Sequence, residues 1–180
     1  MMRKVIFVVL FIKSTFALDI YDIKNWHDAG SYNRICQDSI RELFVRNQDP
    51  VIANIYANSC LKMDKINELI IPMVMLYETK EARENASLYA TILFQKKMLY
   101  LALVDNVDIS YIKTPKIDYI LSVVFDKFVA KEYEMVDDSY RINLSQNSFC
   151  DLLVNDENGI KQMIIAIYED GKVKAIKKYW

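Results

Sequence analysis

SYNRICQDSIRELFVRNQDPVIANIYANSCLKM, residues 31–63, is the stretch whose reading decides the fold. In its first half Tyr32, Cys36, Ile40, Leu43 and Phe44 recur at helical spacing. In its second half Ile52, Ile55, Tyr56, Ser59, Cys60 and Met63 do the same. Each set is an apolar stripe down one face of an α-helix. Between them, Asn47-Gln48-Asp49-Pro50 stops one helix and starts another. Asp49 can cap the second helix, and Pro50 suits its first turn because that position has no intrahelical use for an N–H. The segment therefore predicts an antiparallel helical hairpin. Gln48, midway between Cys36 and Cys60, falls in the turn, so the two thiols stand at the same height on the packed faces.

Toward the N-terminus, Met1 to Ala17 has the layout of a secretory signal peptide. Arg3 and Lys4 are followed by the apolar run Val5–Ile12 and the small-x-small site Thr15-Phe16-Ala17. The run is far short of the roughly 20 apolar residues a spanning helix needs, so no stable membrane insertion is expected after cleavage. Removing Arg3, Lys4 and Lys13 leaves the mature chain more acidic than the formal charge of −1 of the whole. Such a chain is a poor partner for nucleic acid, which is bound through basic contacts to phosphate. A periplasmic or secreted location follows, and an oxidising compartment turns paired thiols into disulfides. Of three cysteines, Cys36 and Cys60 are the expected pair. Closing about 25 residues of chain contributes roughly 3.5 kcal/mol in the loop-entropy model. Cys150 is left over, either buried and inert or a handle for an intermolecular bond.

The rest of the mature chain reads as α+β. Few glycines and prolines interrupt it, which favours helices with short connections. Asp19 opens a short amphipathic segment ending at Asp28, and Ser31 follows as cap of the hairpin. After Met63, Asp64 is expected to cap a third helix. That helix runs into Leu69–Tyr77, nine apolar residues expected to be buried on nearly all sides and either kinked or split into two pieces by Pro72. Thr79 caps a long helix over Lys80 to Val104. Its wide apolar arc marks it as central, with Gln95-Lys96-Lys97 read as solvated surface. Thr114-Pro115 opens a further helix carrying Ile117, Ile120, Leu121, Val124, Phe125, Phe128 and Val129. These complete a helical domain over 18–130.

Residues 131–139, with Glu132, Glu134, Asp137 and Asp138, read as an acidic linker. Residues 140–180 read as a small antiparallel β-meander. Tyr140–Leu144 is a strand, Ser145–Val154 is open between strand and helix, and Asn158-Gly159 and Asp170-Gly171 are hairpin turns. Lysines 172, 174, 177 and 178 mark the last strand as an edge.

Asn54-Ile55-Tyr56-Ala57 returns 33 positions later as Ser87-Leu88-Tyr89-Ala90, and Cys60 and Leu61 align with Leu93 and Phe94. Over residues 50–105 this resembles a degenerate tetratricopeptide-type repeat. The repeat's glycine is absent, and Pro72 falls only near its closing proline. The resemblance implies a concave helical surface that holds a protein or peptide, without catalysis.

No chemical constellation competes with that reading. His27 is the only histidine, and no CxxC or HxxxH spacing suggests a metal centre. Asn155–Gly159 lacks the alternating acids of a calcium loop. No glycine cluster is available to cradle a phosphate. The expected function is thus an exported, non-enzymatic protein-binding or scaffold module of the cell envelope, without cofactor or metal. Its alternatives are an inhibitor or immunity-type protein blocking one target enzyme, and a hydrolase whose site is assembled from scattered residues. A homodimer through the last strand or Cys150 is a further option.

Overall fold

The computed structural model describes residues 19–180; the signal-like segment 1–17 lies outside them. A run of helices precedes a five-stranded antiparallel sheet of order β1-β2-β3-β4-β5. This is the α+β arrangement expected from the sequence.

Helix α1 (Ile20–Asp28) is capped by the Asp19 side chain. The first arm of the hairpin is not one helix. It divides into α2 (Tyr32–Ile35) and α3 (Asp38–Asn47), with Gln37 extended between them. The sequence stripe had left Ile35 out, because on an unbroken helix it lies about 100° from Cys36. The break turns both inward: Ile35 and Cys36 are buried together with Ile40 and Phe44. The turn is as expected. Gln48 takes a left-handed conformation, and Asp49 accepts from the N–H groups of Val51 and Ile52 to start α4 (Pro50–Lys62). α1 to α4 close over a small core of their own, including Ile23, Phe44, Ile52, Tyr56 and the disulfide.

Asp64 caps no helix. It sits in a left-handed turn (φ 61°), and a 3₁₀ turn (Ile66–Leu69) leads from there into the short α5 (Ile70–Met75). Of the expected kink or split the segment takes the split: it divides between Leu69 and Ile70, and Pro72 falls in the first turn of α5, where it costs no hydrogen bond. α6 (Lys80–Asp105) begins at the Thr79 cap and packs against α4, α5, the 3₁₀ turn, the next helix and the sheet, so it is the central helix as expected. α7 (Ile120–Val129) starts five residues after Pro115, not at Thr114-Pro115.

The acidic linker is shorter than expected, since Glu134–Val136 pair as β1 with β2 (Ser139–Ser145). The open stretch resolves as strand: β3 spans Ser148–Glu157. β4 (Ile160–Glu169) and β5 (Lys172–Tyr179) follow the two predicted turns, each with both central residues at positive φ, the twist that two-residue hairpins need. The helical body and the meander are not separate units. Ile142, Cys150, Leu152, Met163, Ile165 and Tyr179 from the sheet share one core with Tyr89, Ile92, Leu99, Leu121 and Phe125.

Candidate functional site

Cys36 and Cys60 form a disulfide, with Cα atoms 5.1 Å apart. The bond ties the break between α2 and α3 to the last turn of α4. Beside it, Glu68 accepts hydrogen bonds from Tyr56 Oη (2.5 Å) and Arg41 Nη1 (2.8 Å), and Arg41 also pairs with Asp38. Burial disfavours the ionised Glu68, but the Tyr56 and Arg41 bonds outweigh it and hold its carboxyl below the ordinary range. Burial and the Glu68 contact push the Tyr56 phenol up. This cluster fastens the 3₁₀ turn onto the hairpin and thereby fixes where α5 begins.

α5 departs from expectation. Ile66, Leu69, Pro72 and Leu76 are buried, but the other side of the run faces solvent. Ile70 is 51 % exposed, Ile71 41 %, Val74 69 % and Tyr77 67 %. A helix of six residues has only one side to bury against α4 and α6, so a run apolar all round must show its other side to water. Leu76, from the buried side of the same segment, lines a groove of about 260 Å³ with Pro50, Val51, Asn54, Thr79 and Ala82.

A second feature lies where the helical body meets β5. Asp64 Oδ1 accepts from the hydroxyls of Tyr119 and Tyr179 and sits 3.1 Å from Lys177 Nζ. Burial and the Asp64 contact raise the Tyr119 phenol, and burial, reinforced by Tyr119 and Asp64, raises that of Tyr179. Next to this junction Lys96 is 1 % exposed. Its ammonium donates to Asn67 Oδ1 at 2.5 Å and pairs with no carboxylate among the described residues. Burial, with Lys97 adding repulsion, lowers it to about 8. Lys96, Lys178, Tyr179 and Trp180 line a cavity of about 220 Å³ together with the 3₁₀ turn. Gln95, also buried, donates to Thr114 Oγ1 and Ser122 Oγ and holds the 106–119 segment against α7. Of the predicted solvated triplet only Lys97 is exposed.

Other residues raised by the sequence are not brought together. His27 lies on the edge of α1, with Nε2 3.2 Å from Asn58 Oδ1 and Nδ1 3.6 Å from Asp28. Neither contact places a nucleophile against it. Glu132 pairs with Lys127, Glu134 is on an edge strand, and Asp137 is in a β-turn. Asp156 accepts from Gly159 N, as a hairpin turn requires. Cys150 is fully buried on the inner face of β3, its thiol pushed up to about 12 by burial, so no surface thiol is available there for a bond between copies. A surface cleft of about 690 Å³ between residues 110–117 and α7 mixes Ile112, Ile117, Val123 and Val129 with the charged Lys113, Lys116, Asp126, Lys127 and Glu132. Of its two carboxyls, Asp126 is raised by burial against a smaller opposing pull from Lys116, and Glu132 pairs with Lys127.

No family model matches the chain, and neither a curated protein nor a solved structure is significantly similar to it.

Sequence reasoning missed Lys96 because a Gln-Lys-Lys triplet reads as polar whatever its depth. Only the width of the apolar arc on α6, which leaves almost no solvent side at that height, carried the signal. Asp64 was missed because its partners lie 55 and 115 residues away.

Proposed function

We propose that the chain is an exported, non-enzymatic protein-binding module of the cell envelope that seats its partner on the ridge of Ile70, Ile71, Val74 and Tyr77. The observation that carries this reading is the exposure of four large apolar side chains from one short segment whose opposite side is anchored in the core. Contiguous exposed apolar surface of this kind marks interaction sites in soluble proteins. Tyr77 adds a ring with a polar tip, a side chain enriched in such interfaces. The disulfide supports export, since such bonds persist where the compartment is oxidising. No helix among the described residues is long and apolar enough to cross a membrane. The tetratricopeptide-like reading of residues 50–105 points the same way, and the ridge lies within that range. Blocking of a target enzyme would use the same surface.

Photo-crosslinking in the native envelope tests the proposal. A photoreactive residue at Val74 should yield one discrete adduct, and one at Lys172 on the far edge strand should not. Ile70→Glu combined with Val74→Glu should abolish the partner's retention with an unchanged melting temperature. Equal labelling from both positions, or retention by the double variant, would reject the ridge. An N-terminus at Leu18 in secreted material would establish export.

A further inference from the structure

We propose that the cavity beneath the end of β5 is a binding site for a small carboxylate ligand, whose anionic group pairs with the Lys96 ammonium. The site is separate from the apolar ridge and does not depend on its function.

The argument is one of uncompensated charge. Five ionisable side chains other than tyrosine line the cavity: Asp64, Lys65, Glu68, Lys96 and Lys178. Both acids are already committed. Asp64 is held by Lys177 and two tyrosine hydroxyls, and Glu68 by Arg41 and Tyr56. None of the three lysines is in an ion pair among the described residues, and only Lys65 lies in the field of one of these acids, Glu68. Lys178 and Lys65 stand at the exposed rim, and Lys96, at the bottom, has only the neutral amide of Asn67. Lys97, on the same helix as Lys96, adds repulsion and no pairing. A buried ammonium with no anionic partner is costly, and an anion entering the cavity removes that cost.

The donor count selects the class of anion. An ammonium has three N–H donors, and Asn67 takes one. Two remain, matching the two oxygens of a carboxylate. No arginine lines the cavity, so the planar fork that grips carboxylate and phosphate alike is missing; the buried ammonium acts as a single point charge, which a singly charged carboxylate neutralises and a more highly charged phosphate would exceed. At about 220 Å³ the cavity lies below the usual range for drug-sized ligands, which limits the guest to a small molecule. The ring of Trp180, half-exposed, and the buried Tyr179 offer flat apolar walls for its carbon part.

The test is a titration of the folded protein with acetate, benzoate and succinate, against acetamide, benzamide and succinamide, followed by the NMR signal of the Lys96 ε-methylene. At least one carboxylate should shift that signal saturably, and its amide should not. The signal's own midpoint, near 8 in the free protein, should rise when the site is filled. Affinity should therefore fall about tenfold per pH unit above that midpoint. Lys96→Met should abolish the fluorescence response of Trp180, read in a Trp26→Phe background. If that variant fails to fold, the wild-type Lys96 midpoint decides alone. Amides acting as well as acids, or a midpoint unmoved by all three carboxylates, would overturn the proposal.

Discussion

Tyr179, near the end of β5, donates a 2.8 Å hydrogen bond to Asp64, in the turn after α4, across 115 residues of chain. The same oxygen of Asp64 accepts from Tyr119 and faces Lys177, so one atom joins the hairpin, the segment before α7 and the last strand. Asp64→Ala leaves the hydroxyls of the buried Tyr179 and the half-buried Tyr119, and one half-buried ammonium, without their acceptor. A loss of about 3 kcal/mol is expected, from unsatisfied groups and not from lost packing. Asp64→Asn keeps an oxygen in place and tolerates the left-handed backbone, so its cost should be about 1 kcal/mol. Urea unfolding of the two variants measures the difference. Equal losses would mean that charge, not the acceptor, holds the junction.

The disulfide closes a loop between residues 24 apart, small but inside the smaller of the two cores, the one formed by α1 to α4. Replacing both cysteines by serine should lower stability by about 3 kcal/mol, mostly through the unfolded state. The loss should appear first as increased hydrogen exchange in α1 to α3, with the sheet amides less affected, because the second core does not include the bridge. Uniform loss of protection would show that the two cores unfold as one.

Lys96 makes the protein less stable than it could be. Its pKa of about 8 in the folded state lies below the ordinary lysine value of 10.5, so between these two values the unfolded chain binds more protons and stability from this group rises with pH. The full penalty, about 3 kcal/mol, is present below pH 8. Lys96→Met should therefore be more stable than wild type at pH 7, by about 1–3 kcal/mol once the lost Asn67 bond is included, and should lose that advantage near pH 10.5. The buried and half-buried tyrosines act with the opposite sign. Tyr56, Tyr89, Tyr119 and Tyr179 are all raised, so above pH 10 the unfolded phenols ionise first and both proteins weaken. Only the difference between the two melting curves isolates Lys96. A difference independent of pH would show that its amine is not desolvated.

Local features were legible in the sequence. The Asp49-Pro50 restart, the Thr79 cap and the two Gly-containing hairpin turns each depend on residues within four positions of one another, and all appear where they were read. The Cys36–Cys60 pair was legible too, because two local stripes and a turn midpoint fix a long-range distance. Illegible were the features set by what an element packs against. The run 69–77 has the composition of a buried helix, but α5 is too short to be surrounded. Gln95 and Lys96 have the composition of a surface, but α6 is surrounded at that height. Thr114-Pro115 has the chemistry of a helix start, but Thr114 is engaged by Gln95, and the chain stays irregular until Ile120, just after Tyr119 reaches Asp64.

Cys150 left two readings open, and burial separates them by rate. The thiol is fully buried and pushed up to about 12, so attack on an alkylating agent must wait for the sheet to open. For a domain with at least about 5 kcal/mol of stability, alkylation in native buffer should be slower than in urea by about a thousandfold or more. The substitution pattern provides an independent check. Cys150→Ala leaves a small void and should cost about 1 kcal/mol, whereas Cys150→Ser places a hydroxyl between Ile142 and Ile167, its partners on the neighbouring strands, and should cost more. A disulfide-linked dimer in non-reducing gels that vanishes in Cys150→Ala would contradict both expectations, since it requires that thiol at the surface of the folded chain.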